Sequence, residues 1–480
     1  MLGKYLVDGS SVAWIRRGEG MVGLGCYACT DVTSPAEADA WWSTLVEGLD
    51  HHSQLPGVAG SGPLAFGSFT FDPDHTEAVS RLIVPKVIIG RRQGQAWLTV
   101  LGDGVSPVEI PPLVELVETQ LVEQVETSPL VELVEALTAA RPTAPRAPRS
   151  VRIEVDEAAQ ARWKERVAEA VRRIETNGLE KVVLARSVTA RASEPIDARH
   201  LVDTLARDYP SCWTYCIDGL VGASPEMLIR RERGLATSRI LAGTIRRSGS
   251  DEADLKLASA LARSSKNLGE HELAVASVAE SLAPLCSGMN VPESPYVLEL
   301  PNVLHLATDV TAVAHKKAGA LRLAAALHPS AAVCGTPTSV ARAAIAELEG
   351  LDRGRYSGPV GWIDARGDGE WAIALRCGMV DAADPRRIDL FAGCGGTSTG
   401  ATLAGLAGAS RELVDVGRRT QASLSDALLS LQFHEDRLAV GDQVLLLPDA
   451  AVGHGQHGDD TGGDAPARRA AADCFGPGLG

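Results

Sequence analysis

The chain is predicted to adopt an α+β fold, on three observations. Strand-like runs cluster without helices between them: PLAFGSFTFD, RLIVPKVIIG and AWLTVLGDG follow one another between residues 64 and 101, rich in β-branched and aromatic residues and punctuated by Gly and Asp. Further along, several neighbouring strand pairs are separated by helical stretches, an order unlike strict βαβ alternation. Helical periodicity is explicit where Trp163, Val167, Val171 and Ile174 recur, before a C-cap at Asn177-Gly178.

Taken in order, residues 1–110 form a strand-rich N-terminal portion. From Leu113 the text LVELVETQ, LVEQVETS, PLVELVEA repeats every eight to nine residues and runs into RPTAPRAPRS. Three short copies cannot build a solenoid, so 111–150 reads as a low-complexity insertion and linker. The main body, 151–395, carries KVVLARSVTA, CWTYCIDGLVGAS, RILAGTIRR, YVLELPNVLHLATDVTAV, YSGPVGWID, EWAIALRCGMVD and RIDLFAGCG as strand-like runs. Residues 396–480 end in a Gly/Ala/Asp-rich stretch that reads as a disordered tail.

Composition narrows the function. With 480 residues and 45% hydrophobic content the chain can bury a large core, while a net charge of −15 argues against nucleic acid as partner. An anionic substrate then needs a local cation from arginine, lysine or a metal. Apolar runs stop well short of the roughly 18 residues of a membrane span, and MLGKYLVDGS lacks a secretory apolar segment, so a cytoplasmic location is the expectation. Of nine cysteines only Cys26 and Cys29 are spaced C-x-x-C, without a second pair at zinc-ribbon distance, and reduced thiols are expected. AGCGGTSTG lacks the lysine of a phosphate loop.

Several residues carry more than composition. SSKNLGEHELAV, residues 264–275, crowds Lys266, Glu270, His271 and Glu272 onto one helical stretch. Lys266 and Glu270 stand four apart, as in a solvated helix face, and Val275 takes the place of the second ligand that an HExxH zinc site requires. Lys181 opens the strand KVVLARS, where an edge charge is the plain reading. Glu226, in SPEMLI, could open a helix. His305, in LPNVLHLATDV, could be a hydrogen-bonded core residue. Arg376 reads as an arginine inside the apolar strand WAIALRC, where it calls for an anionic partner.

In this order, KVVLAR, SPEMLI, LAGTIRR, SKNLGEHELAV, LHLATDV, HPSAAVCGTPT, YSGPVGWID, GEWAIALRC and LFAGCG resemble the chorismate-utilising enzymes, and among them the isochorismate synthases of menaquinone and siderophore pathways. The resemblance spans about residues 150–395. It implies an anthranilate synthase component I-like fold of two packed, largely antiparallel sheets flanked by helices, and a monomer. It also implies a magnesium-dependent conversion of chorismate to isochorismate, with water added at C2 and the C4 hydroxyl expelled. By similarity Lys181 is the base, Glu226 the acid and His305 the motif histidine near the ring. Thr244, Tyr356, Arg376 and the backbone around Gly393 hold the substrate, and Glu270 is a ligand of Mg2+. Lys181 sets the chain apart from ammonia-using relatives, and Ala242 stands where makers of aminodeoxychorismate carry a nucleophilic lysine.

After AGCG the likeness stops. The family continues with a helix bearing a second metal-binding glutamate and, four residues on, a lysine; here no lysine follows Lys317, and Glu412 with Arg418 is the nearest substitute. A salicylate synthase, and an inactive homologue that keeps the fold, stay open as alternatives.

Overall fold

The computed structural model describes residues 6, 11–102, 145–154, 157–176, 178–299 and 303–398. The repeat at 113–135 and the tail beyond 398 lie outside the described residues.

The N-terminal portion supplies β1 (Ser11–Arg16), β2 (Glu19–Leu24), β3 (Ala28–Val32), α1 (Pro35–Glu47), β4 (Leu64–Ser68), β5 (Ser80–Val84), β6 (Val87–Arg92) and β7 (Gln95–Val100). The main body continues with β8 (Val151–Ile153), α2 (Glu157–Thr176), β9 (Lys181–Ala192), α3 (Ala198–Asp208), β10 (Trp213–Ile217), β11 (Leu220–Ser224), β12 (Met227–Glu232) and β13 (Leu235–Arg246). Then come α4 (Asp251–Arg263), α5 (Ser265–Leu282), β14 (Cys286–Asn290), β15 (Tyr296–Glu299), β16 (Val303–Ala314), α6 (Ala320–Leu327), β17 (Gly335–Thr336) and α7 (Thr338–Leu348). Strands β18 (Pro359–Asp364), β19 (Gly369–Ile373), β20 (Cys377–Val380) and β21 (Arg387–Ser398) complete the described chain.

Among the described residues the strands form two antiparallel sheets. The first, of eleven strands, runs β17-β9-β21-β20-β11-β10-β1-β2-β6-β7, with β8 also on β9; the second, of ten, runs β14-β16-β13-β12-β19-β18-β4-β5-β3, with β15 on β16. Both sheets draw on both ends of the sequence, because β1 pairs β10 and β4 pairs β18.

Trp14, Tyr215, Phe66 and Trp362 meet between the sheets in one apolar cluster. Helix α3 covers the outer side of the first sheet through Leu201, Val202 and Leu205. Helices α2, α6 and α7 bury Trp163, Leu321 and Ile345 in a third cluster with β9, β12 and β19. Strands covered on both faces lose alternation, which is why β10, β11 and β18 are buried at every position.

RLIVPKVIIG, read as one strand, is two. Val84 ends β5 in the second sheet and Val87 opens β6 in the first. Pro85, which lacks an N–H, sits between them, where the ladder has to be broken.

Candidate active site

Two further strand pairs change sheets, and they do so side by side. Strand β11 belongs to the first sheet and β12 to the second, with only Pro225 and Glu226 between; β19 and β20 make the reverse passage through Ala374, Leu375 and Arg376. Since β11 pairs β20 and β12 pairs β19, the two passages are neighbours. The Ile373 N–H donates to the Glu226 carbonyl at 3.1 Å and the Ala223 N–H to the Arg376 carbonyl at 3.3 Å. Ser224 Oγ accepts the Glu226 N–H at 3.2 Å, and the Tyr215 hydroxyl donates to the Leu375 carbonyl at 2.9 Å.

Glu226 therefore stands at a strand-to-strand passage, not at a helix start. Arg376 is likewise not inside a strand: its φ of +51° lies in the left-handed region, and the ladder breaks there. The side chain of Arg376 is nonetheless buried.

Thr244 and His305 face each other in the β13–β16 register, and the Thr244 hydroxyl lies 2.8 Å from His305 Nδ1. His305 is 8% exposed. Burial first, and the Arg376 charge second, push its imidazole down to about 3, so it is neutral at ordinary pH. A neutral ring works by hydrogen bonding, and its Nε2 has no hydrogen-bond partner among the described residues. The ladder between β13 and β16 is irregular between Leu241 and Thr244, where Gly243 takes φ +81°.

Helix α5 docks on that irregularity. Ser264 caps it by accepting the Asn267 N–H at 3.4 Å. His271, 2% exposed, reaches the Ala242 carbonyl with Nδ1 at 3.1 Å and the Thr308 hydroxyl with Nε2 at 2.7 Å. A carbonyl only accepts, so Nδ1 carries a proton. His271 thus belongs to the helix anchor and Glu272 to the exposed face. Glu270 lies in this helix, but its side chain and that of Lys266 are outside the described residues, as is Glu412.

Lys181 opens β9, opposite Thr336 on one side and Ser398 on the other. Tyr356, 1% exposed, stacks on Phe391 of β21 with centroids 5.1 Å apart and planes 10° apart. Gly393 follows two residues later, opposite Ala185 of β9. A cavity of about 190 Å³ has Glu226 in its wall, together with Ala274 and Ser277 of α5 and His328 and Ser330.

The structure brings Thr244, His305 and Arg376 into one buried group, sets Glu226 at the passage adjoining Arg376, and joins Tyr356, Gly393 and the Lys181 strand through β21. Sequence reasoning missed Glu349 and Arg353, a buried ion pair beside β9 whose only sequence signal is an acid four residues before a base. No group of three or more His, Cys, Asp or Glu able to hold a metal occurs among the described residues. No described helix is long and apolar enough to cross a membrane.

Isochorismate synthase DhbC of Bacillus subtilis is 38% identical over 48% of this chain and 61% of its own length. The chain thus spans less than two thirds of that relative. Isochorismate synthase MenF of Bacillus subtilis is 30% identical over 70% of this chain and 69% of its own length. The solved structure of MenF, the menaquinone-specific isochorismate synthase from Escherichia coli, superposes with a TM-score of 0.68 at 23% identity, covering 90% of each chain, and so shows a shared fold. The family described as chorismate binding enzyme matches residues 9–398, and the chain belongs to that family.

Proposed function

We propose that the chain is an isochorismate synthase, adding water at C2 of chorismate and expelling the C4 hydroxyl. The observation that carries this reading is the meeting of Glu226 and Arg376 at adjacent sheet passages, with the neutral His305–Thr244 pair beside them. The relatives named isochorismate synthase support it.

Water is a poor nucleophile and hydroxide a poor leaving group, so the reaction needs a base on one face of the ring and an acid on the other. Lys181 is assigned the base and Glu226 the acid. Arg376 and Tyr356, with the backbone at Gly393, hold a substrate carboxylate. Neutral His305, steadied by Thr244, offers a hydrogen bond to the substrate and does not supply the proton.

Magnesium belongs to the same proposal. A hard cation takes oxygen ligands and would neutralise a substrate carboxylate in this acidic protein. Glu270 and Glu412 are the carboxylates assigned to it.

Incubating the protein with chorismate and magnesium, and resolving products by chromatography, tests the reading. Isochorismate is expected, with turnover falling roughly 10²- to 10⁴-fold in Lys181→Ala and lost on chelation. Salicylate with pyruvate would move the assignment to a salicylate synthase. A folded protein without turnover would overturn it.

A further inference from the structure

Strand β9 has an edge that no strand covers fully. On the side away from β21, β17 pairs with Lys181 and Val182 and the Cys334 carbonyl just before it accepts the Val183 N–H at 2.9 Å, while β8 pairs with Ala190 to Ala192 and the Glu154 N–H just after it donates to the Thr189 carbonyl at 2.8 Å. Where that backbone pairing gives out, two side chains meet the edge. Arg353 donates through Nη2 to the Val183 carbonyl at 2.7 Å, and Glu349 Oε2 accepts the Ala185 N–H at 2.8 Å.

The two side chains are paired: Arg353 Nε lies 2.7 Å from Glu349 Oε1 and Nη2 lies 2.6 Å from Oε2, with exposures of 4% and 1%. Arg353 also donates to the Val333 carbonyl at 3.0 Å, and its guanidinium lies 4.2 Å from the centre of the Phe71 ring. The guanidinium, with five N–H groups in a planar fork, makes these four bonds at once, whereas an ammonium has only three donors and no fork to match the carboxylate. The turn that follows delivers Tyr356, whose N–H donates to the Arg353 carbonyl at 2.9 Å.

We infer that the Glu349–Arg353 pair takes the place of a missing strand along β9, and that Arg353 is a positioning residue that fixes Lys181, two residues before Val183, relative to Tyr356. The inference rests on the assignment of Lys181 as base. It gives a buried ion pair, costly to desolvate, a task that an apolar pair could not perform.

Amide hydrogen exchange on the full chain, resolved by residue, tests the tether without a variant: the Ala185 amide should be protected as well as amides paired in the β9–β21 ladder. In Arg353→Lys, exchange from Lys181 to Ala185 should quicken and kcat for chorismate should fall roughly 10- to 100-fold. KM should hold, since lysine keeps the backbone bond to Tyr356. Rapid exchange at Ala185 in the unsubstituted chain overturns the tether. Protected Ala185 with kcat unchanged in Arg353→Lys overturns the positioning role, while loss of turnover in Lys181→Ala upholds the assignment of the base. Turnover indifferent to Lys181→Ala overturns that assignment and with it the positioning role, and exchange alone then decides the tether.

Discussion

His305 ties chemistry to stability at the level of one side chain. Its imidazole falls from an ordinary value of 6.5 to about 3, first through burial and then through Arg376. Above pH 6.5 the ring is neutral whether folded or not, so it has no effect on stability there. Below that, the unfolded chain binds the proton more readily, and stability falls progressively as pH drops from 6.5 toward 3. His328, pushed down to about 4 by burial, acts in the same direction. Melting temperature should therefore decline with acidification in that window, and His305→Gln should make the decline shallower; identical slopes would refute the link. Sequence placed His305 and Arg376 in their runs but could not show that one charge bears on the other. Glu349 and Arg353 were hidden for a different reason: four residues apart, they look like the surface pairs that decorate helices, and only burial on all sides distinguishes them.

At the level of elements, Gly243 decides how near α5 comes to the β13–β16 ladder. A Cβ added there would lie 3.1 Å from Asn267 Cβ and 3.2 Å from Leu306 Cδ1, on a backbone at φ +81° that side chains adopt at a cost of about 1–2 kcal/mol. Gly243→Ala is expected to lower the melting temperature by at least that destabilisation and to reduce turnover, because Thr244 is the next residue and Glu270 rides on the helix. A variant with unchanged melting would mean that the helix has slack to withdraw. Most elements were legible: KVVLARS opens at Lys181 as read, and the helix spacing from Trp163 to Ile174 falls within α2. What escaped were the passages. EWAIALRCGMVD and RLIVPKVIIG look continuous because both halves are equally apolar, and hydrophobic pattern reports burial without saying in which sheet.

Across the whole molecule, one carboxylate links the sheets. Glu370 of β19 accepts the Trp14 indole N–H at 2.9 Å and an Arg92 N–H at 3.0 Å, both from the first sheet, and Arg230 of β12 lies 3.4 Å away. Burial raises the Glu370 carboxyl, but the Arg92 and Arg230 charges and the Trp14 N–H hold it below its ordinary range. Glu370→Gln should cost roughly 2–3 kcal/mol, at the lower end for a broken buried pair because Glu232 still reaches both arginines. Chemical denaturation of the two proteins measures it, and equal midpoints with equal slopes would rule the link out.

The paired passages at Glu226 and Arg376 also bear on modularity. A chain that enters each sheet from the other at adjoining points cannot be divided between them. Exchanging one sheet for its counterpart from a relative would sever the backbone at the residues assigned to the substrate, whereas edits at outlying edges such as β7 or β14 leave those junctions whole. Recombination can therefore vary the rim of this protein freely, but its reactive centre passes between chimeras only as a unit.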